Sequence, residues 1–155
     1  GLRLALDAVN FARVVWGGLC VGLARAALHD VLGHLGQRVQ FERAILDFQA
    51  VQFQLADRLT EVEAAWLLAC RAAARMDRGE PYAEAAAMTK RFAADVAVRV
   101  ASEALELLGG SGYIVPTPLE RHWRGARMAQ LADGTANIQR IVIARALVKR
   151  REPAL

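Results

Sequence analysis

Apolar positions recur at helical intervals along nearly the whole chain. Leu4, Ala8, Val15, Leu19 and Leu23 share one face of a first helix expected from about Leu2 to Leu35. Within it, Trp16-Gly17-Gly18-Leu19 and Gly22 let a neighbouring helix come close, at roughly 1 kcal/mol of lost propensity per glycine. A polar break, Gly36 to Arg43, precedes the clearest period: Ile45, Phe48, Gln52, Leu55, Leu59, Val62 and Trp66 step by three and four. This second helix should end near Gly79. Pro81 then opens a third, carrying Met88, Phe92, Val96, Val100, Ala104 and Leu107 to a stop at Gly109-Gly110. Tyr113 to Pro118 reads as a loop and Glu120 to Gln130 as a short basic helix. A last helix starts near Thr135, ahead of a frayed tail over residues 151–155. No strand alternation, repeat or low-complexity tract stands out. Long helices joined by short loops predict an all-α fold, an up-and-down four-helix bundle, as one domain over residues 1–150.

Composition agrees with helices packed closely. Of 155 residues 55% are hydrophobic but only 6% aromatic, so alanine carries much of the interior. Cys20 and Cys70 both fall on periodic apolar stretches and read as small core residues. The charge-free run on the first helix, Val14 to Ala24, is well short of the roughly 18 residues of a membrane span, so none is expected. A formal charge of +4, spread along the chain, gives mild attraction to anions and no nucleic-acid signature. No secretory leader is expected, a cytoplasmic setting is, and a chain opening on Gly1 rather than Met is expected to be a piece of a longer one.

The candidate chemistry lies towards the end. Asp133 sits beside Gly134, the residue type that lets backbone approach a ligand, and Thr135 offers a hydroxyl N-cap to the helical run that follows. A carboxylate at the mouth of a helix can present a base to bound substrate. It can equally be an ordinary helix cap. Upstream, Gly109, Gly110 and Gly112 form either a helix stop or an amide cradle for an anion. His29, His34 and His122 lack metal-ligand spacing, so no metal site is expected. Trp16, Trp66 and Trp123 read as core and interface anchors.

Five stretches in order carry a resemblance: Arg38-Val-Gln-Phe41, Asp47-Phe-Gln-Ala50, Leu107-Leu-Gly-Gly-Ser-Gly-Tyr113, Glu120-Arg-His-Trp-Arg-Gly-Ala-Arg127 and Asp133-Gly-Thr-Ala-Asn-Ile-Gln-Arg140. Over essentially its whole length the chain resembles the C-terminal helical domain of the acyl-CoA dehydrogenase family. The resemblance implies FAD as cofactor and companion N-terminal and central β domains. It also implies a homodimer or homotetramer, and an acyl thioester substrate carried on CoA or an acyl carrier protein. In that family a carboxylate removes the α-proton while a hydride leaves the β-carbon for the flavin. The implied base is Asp133, with Gly134 along the thioester and Arg13 on the substrate side. Thr135 and Asn137 match contacts to the flavin's adenine nucleotide. Arg38, Gln40 and Phe41 match residues reaching a partner subunit's FAD, and Glu106 and Gly110 match contacts to its diphosphate.

Two departures from the family pattern bear on chemistry. Asp133 stands where glutamate is usual, pulling the carboxylate back by roughly 1.5 Å. The alternative base position of some relatives, just before Arg13, is Ala12. Glu106 stands where an uncharged glutamine is usual, beside a diphosphate it would repel. Two other readings stay open. One is a flavin oxidase resembling nitroalkane oxidase, which uses an aspartate as base. The other is a non-catalytic association bundle when the chain is isolated.

Overall fold

Alanine and glycine decide how the helices of this chain meet. The computed structural model describes residues 1–114 and 117–150. Its elements are α1 (Leu2–Gln37), a hairpin of β1 (Val39–Gln40) and β2 (Arg43–Ala44), a 3-10 turn at Ile45–Asp47, α2 (Gln49–Asp77), α3 (Ala83–Leu108), the single-turn α4 (Gly110–Tyr113), α5 (Pro118–Leu131) and α6 (Ala136–Lys149). α3 is the central element, packed on α1, α2, α5 and α6. Its buried face is nearly all Ala and Val: Ala86, Ala87, Ala93, Ala94, Val96, Ala97, Val100, Ala101 and Ala104. With side chains this small, helix axes approach closely and dispersion contacts replace bulk.

The closest approach is at Gly17 on α1. A Cβ there would lie 2.2 Å from Thr89 Cγ2 on α3. Thr89 is fully buried and its hydroxyl donates to Leu68 O of α2 at 2.9 Å, tying three helices at one level. Gly18 and Gly22 have open space around them, so only Gly17 of the three serves close packing.

The all-α class holds, with the bundle differently counted. Among the described residues there are six helices: the five expected segments, with α5 and α6 parted by a turn with positive φ at Asp133 and Gly134, plus the single-turn α4, which ends at Tyr113 where a loop was expected to begin. The polar break after α1 pairs as a two-residue hairpin, Val39 with Ala44 and Gln40 with Arg43, where the sequence showed no strand pattern. Several assigned faces also move. Leu4, Val15 and Leu19 are exposed, and α1 instead buries Val14, Gly17, Cys20, Val21, Ala24, Ala27, Leu28, Val31 and Leu35. On α2, Leu59 and Trp66 point outwards while Val62, Ala65, Ala69 and Ala72 go in. In both helices the face richer in small residues turns inwards, which lets the axes approach α3, with Leu28 and Leu35 the large side chains that α1 buries. Trp66 lies beneath the Arg25 guanidinium, 5.2 Å from ring centre to Cζ. Cys20 is buried as expected, but Cys70 is exposed, and both are free thiols. The tail over 151–155 lies outside the described residues, as do positions 115 and 116 of the expected loop.

By length and composition α1 is apolar enough to cross a bilayer, with mean hydropathy 1.4 over its most apolar stretch. The charge-free run counted from sequence missed this because it stopped at the isolated charges flanking it. In the fold one face of α1 packs against α2, α3 and α5, while 22% of that apolar stretch is buried within the chain.

Gly17→Ala is expected to destabilise the domain by about 1–3 kcal/mol through overpacking. Adding Thr89→Ser, which removes the clashing methyl and keeps the hydroxyl, should restore most of that loss in urea titrations. No recovery would show that the contact is not what limits the approach.

Candidate functional site

The turn between α5 and α6 is held by side chains from inside the bundle. Asp133 has φ 48° and Gly134 φ 95°, both in the left-handed region. For a non-glycine residue that region costs about 1–2 kcal/mol, least for Asp and Asn. Buried donors offset it. Lys90 of α3, 1% exposed, donates from Nζ to Gly134 O at 2.6 Å and more weakly to Gln130 O at 3.5 Å. Gln139 of α6, fully buried, donates from Nε2 to Gly134 O at 2.9 Å and Asp133 O at 3.3 Å. One carbonyl therefore receives an ammonium and an amide. A Cβ at Gly134 would come within 3.0 Å of Gln139 Nε2, on a backbone that already favours glycine.

So clamped, the turn presents the Asp133 side chain to the surface, where it is exposed. Its carboxylate oxygen Oδ2 accepts a hydrogen bond from the Trp16 indole Nε1 of α1. Asp133 is not a cap: Thr135 holds the N-cap position of α6, and its hydroxyl makes no capping bond either. Arg13 lies one turn before Trp16, 7% exposed, and its guanidinium donates to Asn10 Oδ1 at 2.9 Å while Nε has no partner among the described residues. Burial pulls both cations, Arg13 and Lys90, below their ordinary pKa, and the Asp133 charge opposes that shift in each. The acid thus faces two partly desolvated positive charges. Beneath it the buried Cys20 thiol is pushed up to about 12 by burial, against the pull of Lys90, and stays neutral.

A second group of predicted residues gathers at the far end of α1. A cleft of about 660 Å³ is lined by His34, Arg38, Gln40, Glu106, Gly109, Gly110 and Ser111, among others. Arg38 closes α1 and leads into the hairpin. Phe41 follows at φ 52°, 87% exposed, with its ring edge-on to Phe48. Gly109 ends α3 at φ 62°, and at Gly112 a Cβ would lie 2.5 Å from Leu105 O, so the glycine turn folds back on α3. A guanidinium, glycine backbone and a serine hydroxyl suit a diphosphate. The exposed Glu106 carboxylate in the same lining does not, and it pairs with no cation among the described residues. Gln40 turns its amide back onto Val39 O.

The structure therefore splits the predicted site in two. Asp133, Gly134, Thr135 and Arg13 belong to the α1–α3–α6 end, where Asn137 accepts from Arg140 Nη1 at 2.9 Å. Arg38, Gln40, Glu106 and Gly110 belong to the cleft. From Arg13 to Arg38 is about 37 Å at roughly 1.5 Å per residue along α1. Sequence reasoning missed Lys90 and Gln139, and read Trp16 only as an anchor. A lone lysine between the alanine pairs Ala86-Ala87 and Ala93-Ala94 was the available signal for Lys90.

Residues 1–148 match the family described as "Acyl-CoA dehydrogenase, C-terminal domain". A probable acyl-CoA dehydrogenase of Mycobacterium tuberculosis is 43% identical over 150 residues, covering 96% of this chain and 39% of that protein. The structure is similar to that of butyryl-CoA dehydrogenase from Megasphaera elsdenii, with TM-score 0.93, 38% identity and coverage of 96% of this chain and 39% of that one. It is also similar to a prolyl acyl carrier protein oxidase, with TM-score 0.90, 28% identity and 95% and 39% coverage. The chain thus spans about two fifths of the length of the relatives it matches.

Lys90→Met keeps the length of the stem and removes both donations to backbone oxygen. We expect helix content to be retained while amide exchange in the turn, at Gly134 to Ala136, speeds by roughly ten-fold or more. Unchanged protection would mean that the turn holds itself.

Proposed function

This chain belongs to the acyl-CoA dehydrogenase family, as its C-terminal helical domain, and we propose that it supplies the general base of an FAD-dependent oxidation of acyl thioesters. The observation that carries the proposal is the state of Asp133. It stands immediately before Gly134-Thr135, exposed, free of capping duty and held on a backbone that the bundle interior fixes. In this reading one carboxylate oxygen takes the proton from the α-carbon of the bound thioester. The electron pair left behind forms the double bond as the β-hydrogen departs with its electrons. A bound FAD would supply the acceptor for that hydride. Arg13 and Lys90 place positive charge near the turn, and Gly134 allows the thioester to lie close to it.

The two clusters support a particular arrangement. Thr135, with its hydroxyl uncommitted, and Asn137 would contact one FAD near the base. Arg38, Gln40, Phe41, Glu106 and Gly110 would meet a second at the distant cleft. Some 37 Å of helix is more than one extended dinucleotide spans, which supports a reading in which the second FAD is that of a partner subunit in a homo-oligomer. The cleft chemistry fits a diphosphate through Arg38, the glycine backbone and Ser111, with Glu106 working against it.

The aspartate favours one further reading, an oxidase of the same superfamily acting through the same acid. Stopped-flow reduction of the full-length flavoprotein separates the two. Acyl-CoA and acyl-carrier-protein thioesters are expected to bleach the flavin, and Asp133→Asn to slow bleaching by about 10²-fold or more. Bleaching only by nitroalkanes, with oxygen consumption, would favour the oxidase. No bleaching by any thioester would overturn the dehydrogenase reading. Separately, Glu106→Gln removes a charge from beside the diphosphate and should tighten flavin retention about five-fold, equivalent to about 1 kcal/mol. Weaker retention would mean that Glu106 is a ligand.

A further inference from the structure

A carboxylate acting as base must aim one oxygen at one carbon, and nothing within an aspartate side chain selects which. The constraint comes from α1. The Trp16 indole carries a single N–H and no acceptor, so its polarity towards a neighbour cannot reverse. Its ring is half-buried against the main core cluster, which limits its movement. Gly17, the next residue, sets how near α1 lies to α3, and α3 through Lys90 sets the height of the turn. Indole and acid are thus both positioned by one helix pair. Among the described residues, the bond from Trp16 Nε1 to Oδ2 is the hydrogen bond that the Asp133 side chain makes.

The short acid gives this contact its meaning. An aspartate carboxylate lies roughly 1.5 Å nearer its own backbone than a glutamate's. There it falls within reach of a donor on α1, rather than extending past it. We propose that Trp16 is a positioning residue for the base: its indole N–H holds Oδ2 of Asp133 and leaves Oδ1 as the oxygen that takes the proton. This role rests on the reading of Asp133 as base. The pair Trp16 and Asp133 then act together, with the indole supplying the orientation that a longer side chain would find by extension.

The test uses the full-length, flavin-loaded enzyme and the variants Trp16→Phe, Trp16→His, Asp133→Ala and Trp16→Phe with Asp133→Ala. Trp16→Phe keeps an aromatic ring and deletes the donor. Anaerobic flavin reduction at saturating acyl-CoA should slow about ten- to a hundred-fold, with KM little changed, because orientation is lost and binding is not. Trp16→His, which restores a ring N–H, should recover part of the rate. In the Asp133→Ala background the Trp16→Phe change should cost nothing further. Ultraviolet resonance Raman should show one indole N–H band moving to its unbonded position in Asp133→Ala. If Trp16→Phe does not fold, the Raman comparison decides alone.

A wild type reduced by acyl-CoA together with a Trp16→Phe variant of full rate would overturn the positioning role and leave the base reading intact. A cost in kcat that persists without Asp133, or an indole band indifferent to Asp133, would do the same. A wild type that no thioester reduces would instead remove the base reading, and this role with it.

Discussion

A lysine ammonium inside an alanine-lined bundle is the feature on which the rest of this structure turns. Removing such a charge from water costs several kcal/mol, and the cost is bearable only when good acceptors meet it. Here they are backbone oxygens, Gly134 O at 2.6 Å and Gln130 O at 3.5 Å, at the end of α5 and in the turn after it. The charge therefore does two things at once. It needs the turn in order to be satisfied, and the turn needs it in order to keep two consecutive residues at positive φ. Gln139, donating to the same carbonyl from the other side, closes the clamp. The small-residue packing of α1 on α3 is what brings the indole of Trp16 to the acid that the clamp presents.

That arrangement places the proposed base on rigid elements rather than on a free loop, which is where precision of less than an ångström is found. It also explains how an aspartate can stand at a position where the family resemblance implies a glutamate. The shorter side chain meets a donor from α1, which fixes its orientation, and two buried cations lie near it. The other end of α1 carries a separate cleft with a mixed charge character. Both clusters lie at the surface, and the chain spans about two fifths of the length of the relatives it matches.

Much of the fold was legible because helical period and glycine stops are local signals. Gly79, Pro81 and Gly109 mark real boundaries, setting the end of α2 at Asp77 and the span of α3 from Ala83 to Leu108 to within two residues. What was not legible was which face of α1 and α2 goes inwards. Leu4, Leu19, Leu59 and Trp66 look like core by hydrophobicity, yet apart from Leu28 and Leu35 the buried apolar faces of α1 and α2 are Ala, Gly, Val and Cys, because a neighbour as slim as α3 rewards close approach over bulk. Periodicity cannot weigh two apolar faces against each other. At the site, Asp133, Gly134 and Arg38 stand out by position in a motif. Lys90 and Trp16 do not, since their roles arise from tertiary contacts with residues 44 and 117 positions away, and Gln139 acts only once the turn five residues before it has folded back on α6.

The central claim is that a clamped turn and an indole together aim a short acid at a substrate carbon. A crystal structure of the full-length flavoprotein with an unreactive acyl thioester analogue measures this directly. The account predicts Asp133 Oδ1 about 3–3.5 Å from the α-carbon, with Oδ2 still on the Trp16 nitrogen and Lys90 still on Gly134 O. A carboxylate swung away from the ligand, with the Trp16 bond broken or both oxygens turned into the bundle, would contradict it.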